Sequence, residues 1–436
     1  MRFSDLNAWL RWQEDLHPSA IELGLDRVAA VWERMGPPTP RFAAITIAGT
    51  NGKGSCAAML EAVYRAAGYR TGCYTSPHLL RYNERIRIDG REVEDTDLCA
   101  AFDRVDSARG ESRLTYFEFG TLAAFDLFTG ADPDVAILEV GLGGRLDAVN
   151  LLDPDLALVA SIGRDHMAWL GDDLASIAAE KAGIFRPSRP AVVGHRAPQD
   201  SLVRRAADLG AELHRLGKDF DWEPEGAGWR WWGPGASYAG LPALCLRGAH
   251  QYDNAAAVLM ALSRLSERLP VSAPSLRHGL QGAWIPGRFQ VLPGEVTWIL
   301  DVAHNDQAAG ALADTLASFP CPGRLHAVLG ILRDKEPASF AAPLARRVAR
   351  WHLGQAAVSR ALPAPDLKRE LSGLIEASKL TDYSCIEAAL EGAAAAADPG
   401  DCVLVSGSFT TVEAALRKLT APASGSSQDA RFRMNP

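Results

Sequence analysis

Residues 44–55 read Ala-Ile-Thr-Ile-Ala-Gly-Thr-Asn-Gly-Lys-Gly-Ser, an apolar strand-like run that meets glycines, a lysine and a hydroxyl residue where a helix begins. Glycines let backbone N–H groups close on phosphate oxygens, the helix N-terminus adds positive potential, and Lys53 offers a cation to the outer phosphates. The spacing departs from the common phosphate loop. Only Thr50 and Asn51 separate Gly49 from Gly52, and Gly54 follows Lys53 where Ser or Thr normally stands. A magnesium-binding hydroxyl therefore has to come from another segment. The competing reading is a tight glycine turn capping a helix at Ser55; the strand-to-helix setting favours a nucleotide.

Outward from this loop, short apolar runs alternate with helical stretches: strands at 42–48, 70–75, 135–140 and 156–161, helices at 55–67 and 117–128. That rhythm predicts an α/β fold with a mostly parallel sheet and crossover helices. Around 212–248 the texture turns rich in Gly, Pro and Trp and reads as antiparallel hairpins, an excursion of the first domain. A helix follows at 252–269, and 274–287 is expected to be broken by Pro and Gly. A second alternating series from Val296 predicts a C-terminal Rossmann-like α/β unit. The expected division is 1–285, 286–420 and a small, polar, frayed tail at 421–436, with a hinge near 284–290.

The chain has 436 residues, 47% hydrophobic and 22% charged, with a net charge of -8. This is a globular composition, long for one domain, and it argues against a nucleic-acid-binding scaffold. Seven scattered cysteines contain no C-x-x-C pair, which fits free thiols in a reducing compartment. Without a signal-peptide core or an apolar run near the ~20 residues of a membrane helix, a cytoplasmic protein with no membrane or nucleic-acid partner is expected.

Several further residues lie just beyond strand ends, where open α/β sheets gather ligands. Glu139 closes the run 135–140 and is either a metal ligand or an ion-pair partner for Arg145. His166 follows 156–161 and is either a ligand or a structural histidine. Ser76, in Thr-Ser-Pro-His after the strand at 70–75, could supply the missing hydroxyl or simply mark a turn. Lys181 stands in an apolar helical setting; it either reaches solvent or is a neutral amine that captures CO₂ as a carbamate and becomes an anionic ligand. The run GLGGRLD at 141–147 imitates a dinucleotide fingerprint but lacks its G-x-G-x-x-G spacing, so NAD is rejected.

The ordered set AGTNGKGS, TSPHLLRYNERIRIDG, LTYFEFGTLAAF, ILEVGLGGRLDAVN, SIGRDHMAWLG, EKAGIFR, PGRFQ, DVAHN and SGSFTTVEA resembles the folylpolyglutamate synthase and dihydrofolate synthase family, most closely its bifunctional bacterial members, within the wider Mur ligase superfamily. The resemblance runs from about residue 20 to 416. It implies a phosphate-loop-containing Mur-ligase-like central domain, with Asn51, Gly52, Lys53, Gly54 and Ser55 on the ATP phosphates. It implies two Mg²⁺ ions: Ser76 and Glu139 on the first, and Glu139, His166 and carbamylated Lys181 on the second. Asn254, Arg288, Asp301 and His304 match positions that contact ATP. Arg288, at the expected hinge, would reach the phosphates on domain closure.

The same resemblance implies a pterin site at Leu23, Gly24, Asp26 and Arg27, at Thr115, Tyr116, Phe117 and Glu118, and at Leu146, Asp147 and Ala148. A pterin offers a flat face to Phe117 and an amide-like edge to Asp147; Tyr116, Phe117 and Phe119 read equally well as core aromatics. The implied activity is ATP-dependent addition of L-glutamate to dihydropteroate and to the γ-carboxylate of tetrahydrofolates through an acyl phosphate, by a monomer. The rival readings are a polyglutamate synthase alone and a murein-type ligase, the latter disfavoured by LTYFEFGTL and IELGLDR. A GTPase switch fails for want of an N-K-x-D motif, and a non-catalytic scaffold is disfavoured by Lys53, Glu139, His166 and Lys181.

Overall fold

The computed structural model describes residues 1–19 and 21–420, so the tail expected at 421–436 lies outside the described residues. The chain divides into two compact units, the first formed by Met1–Leu244 with Gln251–Trp284, the second by Cys245–His250 with the chain from Ile285 on.

In the first unit, strands β1 (Ala43–Ala48), β2 (Thr71–Tyr74), β3 (Ile86–Ile88), β4 (Arg91–Glu92), β5 (Val135–Glu139), β6 (Leu156–Val159), β7 (Pro190–Val193) and β8 (Glu212–Arg215) form one sheet in the order β4-β3-β2-β5-β1-β6-β7-β8. The pairings from β2 through β8 are parallel, and β3 and β4 add antiparallel. Every residue of β1, β2, β5 and β6 is buried, which explains why they read as continuous apolar runs with no alternation. Helices Lys53–Ala66 and Tyr116–Ala131 are among the crossover elements. The connection from β1 runs to β2 on one side and the connection from β5 runs to β6 on the other, so the crevice beyond the carboxyl ends of β1 and β5 is the topological switch point.

Two local expectations change. Glu212–Arg215 does not join the hairpins but pairs parallel with β7; the antiparallel sheet is β9 (Asp221–Glu225), β10 (Gly228–Gly233) and β11 (Ala236–Leu241). In it, Trp229 and Trp231 turn inward while Arg230 and Trp232 face solvent. Residues 273–282, expected to be interrupted, form a helix. Its proline falls in the first turn, where no N–H is missed, Ser272 caps it, and Gly279 lets its backbone lie directly against Val63.

The second unit carries β12 (Gln290–Leu292), β13 (Thr297–Leu300), β14 (Leu325–Leu329), β15 (Val348–Leu353), β16 (Leu380–Asp382) and β17 (Cys402–Ser406) in the order β12-β13-β17-β14-β15-β16, parallel except for β12. Its core is closed by Leu312, Leu316, Phe340, Trp351 and Leu404. Among the described residues no helix is long and apolar enough to cross a membrane.

Candidate active site

The turn after β1 is built to hold its backbone open. Gly52 caps helix Lys53–Ala66 at φ +86, a left-handed conformation that side chains disfavour, and a Cβ there would meet Asn254 Oδ1 at 2.5 Å. Ser161 clamps the turn from the end of β6: its hydroxyl accepts from Asn51 N (3.0 Å) and donates to Asn51 O (2.9 Å). Thr50 Oγ1 donates to Gly163 O and accepts from Gly163 N. Ser161 and Thr50 were not singled out in the sequence. Their hydroxyls act on residues more than 100 positions away, and nothing local marks them. Lys53 Nζ donates to Gly49 O (2.9 Å) and Thr50 O (3.3 Å), so the cation is held over the turn. Asn254 is buried behind Gly52, its amide donating to Gln251 Oε1 at 3.0 Å.

The neighbouring strand ends converge on this turn. Glu139, buried at the end of β5 and in register with Ile47, accepts from Ser76 N at 3.1 Å, so the two residues expected at a metal are adjacent. The partner of Arg145 is Glu180 (2.8 Å). Lys181 closes helix Leu174–Lys181 and is 3% exposed, so it does not reach solvent. Desolvation, and then the charge of Lys53, push its amine down to about 7, against a smaller upward pull from Asp165. His166 stands just beyond β6 at φ +53 and is exposed. Among the described residues no three His, Cys, Asp or Glu side chains gather as a ready-made metal site; the donors offered here include a serine and a lysine.

The three segments expected to bind a pterin touch one another. Gly24 N donates to Leu146 O (3.2 Å), Arg27 Nη2 pairs with Glu118 Oε1 (2.7 Å), and the half-buried Phe117 ring lies against Gly141, where a Cβ would be 2.6 Å from the ring. Leu23 is partly buried beside Gly24, and Asp26 lies exposed in the first turn of helix Asp26–Met35. Glu118 has a structural task as well: with Thr115 it forms a capping box on helix Tyr116–Ala131. Asp147, also buried, caps the short helix Ala148–Leu151; its Oδ1 accepts from Val149 N (2.9 Å) and its Oδ2 from Leu142 N (2.8 Å). Burial pushes its carboxyl up to about 7 despite those bonds and the charge of Lys53. Phe119 belongs to the core, whereas Tyr116 and Phe117 are only partly covered.

In the second unit, Arg288, Asp301 and His304 form one cluster at the end of β13. Arg288 Cζ lies 5.3 Å from the centroid of the Phe409 ring, and His304 packs on the same ring at 6.1 Å. Asp301 accepts from Phe289 N and Ala303 N, both at 2.8 Å; burial raises its carboxyl and the Arg288 charge opposes this.

Residues 47–222 match the Mur ligase middle domain, and residues 287–409 match the Mur ligase glutamate ligase domain. The chain is 40% identical over 422 residues to the dihydrofolate synthase/folylpolyglutamate synthase of Escherichia coli (strain K12), covering 97% of both chains. It is 37% identical to that of Haemophilus influenzae, covering 94% of this chain and 96% of the relative. Among solved structures, E. coli FolC in complex with DHPP and ADP superposes with a TM-score of 0.90 at 40% identity, covering 96% of this chain and 98% of the other. A bifunctional folylpolyglutamate synthase/dihydrofolate synthase with Mn, AMPPNP and L-glutamate bound gives 0.88 at 43% identity, covering 95% and 98%.

Proposed function

We propose that this chain, which belongs to the dihydrofolate synthase/folylpolyglutamate synthase family of Mur ligases, joins L-glutamate to dihydropteroate and to the γ-carboxylate of tetrahydrofolates at the expense of ATP. The acceptor carboxylate takes the γ-phosphoryl group, giving an acyl phosphate and ADP. The amine of glutamate then attacks the carbonyl carbon, and the tetrahedral adduct expels inorganic phosphate as the amide forms. Negative charge accumulates on phosphoryl and carboxylate oxygens, so the task of the protein is to position cations and N–H donors there.

The N–H groups at the N-terminus of helix Lys53–Ala66 would face the phosphates, with Lys53 as the side-chain cation, while Thr50 and Asn51 donate theirs to Ser161 and hold the turn in shape. Asn254, Arg288, Asp301 and His304 are assigned to ATP. Ser76 and Glu139, already in contact, would hold one divalent cation, and Glu139, His166 and the Lys181 carbamate are assigned to a second. A protonated lysine would repel that ion. Burial that draws the Lys181 amine down to about 7 supplies the neutral nucleophile needed to add to CO₂, and the carbamate so formed is an anion. The divalent ions, when bound, neutralise charge on the phosphates. Phe117 would stack on the pterin and Asp147 accept from its edge. Seven free cysteines suit a monomer working in a reducing cytoplasm.

The observation that carries the reading is the meeting of the three segments assigned to the acceptor, in a chain matched along almost its full length by relatives with both activities in their name. The test is a product assay with ATP and L-glutamate, offering dihydropteroate and tetrahydrofolate separately. ADP release with glutamylated product from both acceptors is expected. Product from tetrahydrofolate alone would reduce the enzyme to a polyglutamate synthase.

A further inference from the structure

The segment from Ser76 through β3 carries three arginines, and two of them are paired: Arg81 with Glu92 and Asp95, Arg87 with Glu61. Arg85 is held differently. Its guanidinium carbon lies 5.2 Å from the Tyr82 ring centroid and 5.6 Å from that of Tyr116, and its Nε donates to His78 Nδ1 at 2.8 Å. Tyr82 and Tyr116 are in turn packed edge to face at 5.7 Å. Among the described residues no carboxylate forms an ion pair with Arg85. A guanidinium is always charged, and one that is half-buried and fixed by two rings has lost hydration without gaining an anion.

Its position gives the anion an identity. The Arg85 carbonyl accepts from Thr75 N at 2.9 Å, one residue before Ser76, whose own N–H reaches Glu139. Tyr116, under the guanidinium, precedes Phe117. The Arg85 backbone is thus paired one residue from Ser76, while its guanidinium rests on the ring that precedes Phe117, so the residue borders both the segment assigned to the metal and the segment assigned to the pterin. We propose that Arg85 binds the α-carboxylate of acceptors that already carry a glutamate, and so sets the preference between the two acceptors. Dihydropteroate has one carboxylate, which must face the phosphoryl donor. A tetrahydrofolate has, besides its reacting γ-carboxylate, an α-carboxylate on the same residue, and the guanidinium fork matches that group. This inference rests on the functional reading above.

The test is initial-rate kinetics of the full chain with either acceptor, for wild type, Arg85→Gln and Arg85→Lys, with melting curves as a folding control. Loss of charge-assisted hydrogen bonds should raise KM for tetrahydrofolate by about 10- to 150-fold in Arg85→Gln. The dihydropteroate reaction should lose several-fold less, and Arg85→Lys should recover part of the tetrahydrofolate loss by restoring charge without the fork. Equal losses for both acceptors, or an unchanged KM for tetrahydrofolate, would overturn the proposal. Equilibrium binding of pteroate and pteroylglutamate gives a readout that needs no turnover. Wild type should favour pteroylglutamate and Arg85→Gln should lose that margin; a margin that survives the substitution refutes the role of Arg85 even if the ligase reading stands, whereas absent turnover with an intact margin refutes the ligase reading alone.

Discussion

Asp147→Asn separates the structural from the ligand-binding work of a buried carboxyl. The side chain is 3% exposed, and both oxygens accept backbone N–H groups, from Val149 and Leu142. Asparagine keeps one acceptor oxygen and turns an amide donor toward the other N–H, a mismatch costing about 1–3 kcal/mol at any pH. The pH-dependent part has a definite sign. The folded carboxyl, raised by burial from 3.8 to about 7, holds its proton more tightly than the unfolded one. Its contribution to stability is therefore fully present below the unfolded value of about 3.9 and is lost as pH rises through about 7. At about 1.4 kcal/mol per pH unit the loss reaches at most about 4 kcal/mol. Asparagine does not titrate, so the stability of the wild type relative to Asp147→Asn should fall between pH 4 and 8. Urea unfolding followed by tryptophan fluorescence at several pH values measures this. Two parallel pH curves would show that Asp147 is not raised, and the argument from burial would fail. A ligand consequence follows: recognition of pterin donors needs the ionised carboxylate, so dihydropteroate affinity should rise with pH through about 7 in wild type and stay flat in the variant. Equilibrium binding without ATP is the suitable assay, because the amine of Lys181 titrates in the same range.

Lys181→Met should lose at least about a hundredfold in kcat, and wild type incubated with ¹³C-bicarbonate should show a carbamate carbon that the variant lacks; a fully active wild type with a bare amine would sink the carbamate. Glu139→Gln should abolish turnover with an unchanged melting temperature, and wild-type kinetics at low Mg²⁺ would remove it from the metal site. Gly52→Ala puts a side chain at φ +86 and against Asn254, so about 1–3 kcal/mol of strain is expected together with a raised KM for ATP, read by melting and by kinetics. Arg27→Ala leaves Glu118 buried with the Thr115 N–H as its remaining bond, at a cost of about 3 kcal/mol that Glu118→Gln should partly relieve in the double variant.

The local grammar of the chain and the order of its motifs are legible without the fold. The strand, glycine turn and helix at 43–66 are contiguous, so their propensities and their phosphate chemistry can be read together. The alternation of buried strands with helices announces a parallel sheet because crossover connections leave few other arrangements. The proline at 274 shows the limit of that grammar: the same residue breaks a helix interior and fits a first turn, and only the placement of Ser272 and the packing on Val63 settle which applies.

Tertiary structure decided the charges. Glu139 was open to Arg145 in the sequence; the fold sends Arg145 to Glu180, 35 positions away, and sets Glu139 beside Ser76. Glu118 was expected at a pterin, and the fold also commits it to its helix cap and to Arg27, 91 positions away. Lys181 could have reached solvent, and packing buried it near Lys53. Arg81, Arg85 and Arg87 are indistinguishable by composition, and only the positions of Glu92, Asp95, Glu61 and the two tyrosine rings set Arg85 apart. The physical reason is common to all four: a side chain's protonation and partner depend on what desolvates it and which charge lies within a few ångströms, and those neighbours are brought by distant segments.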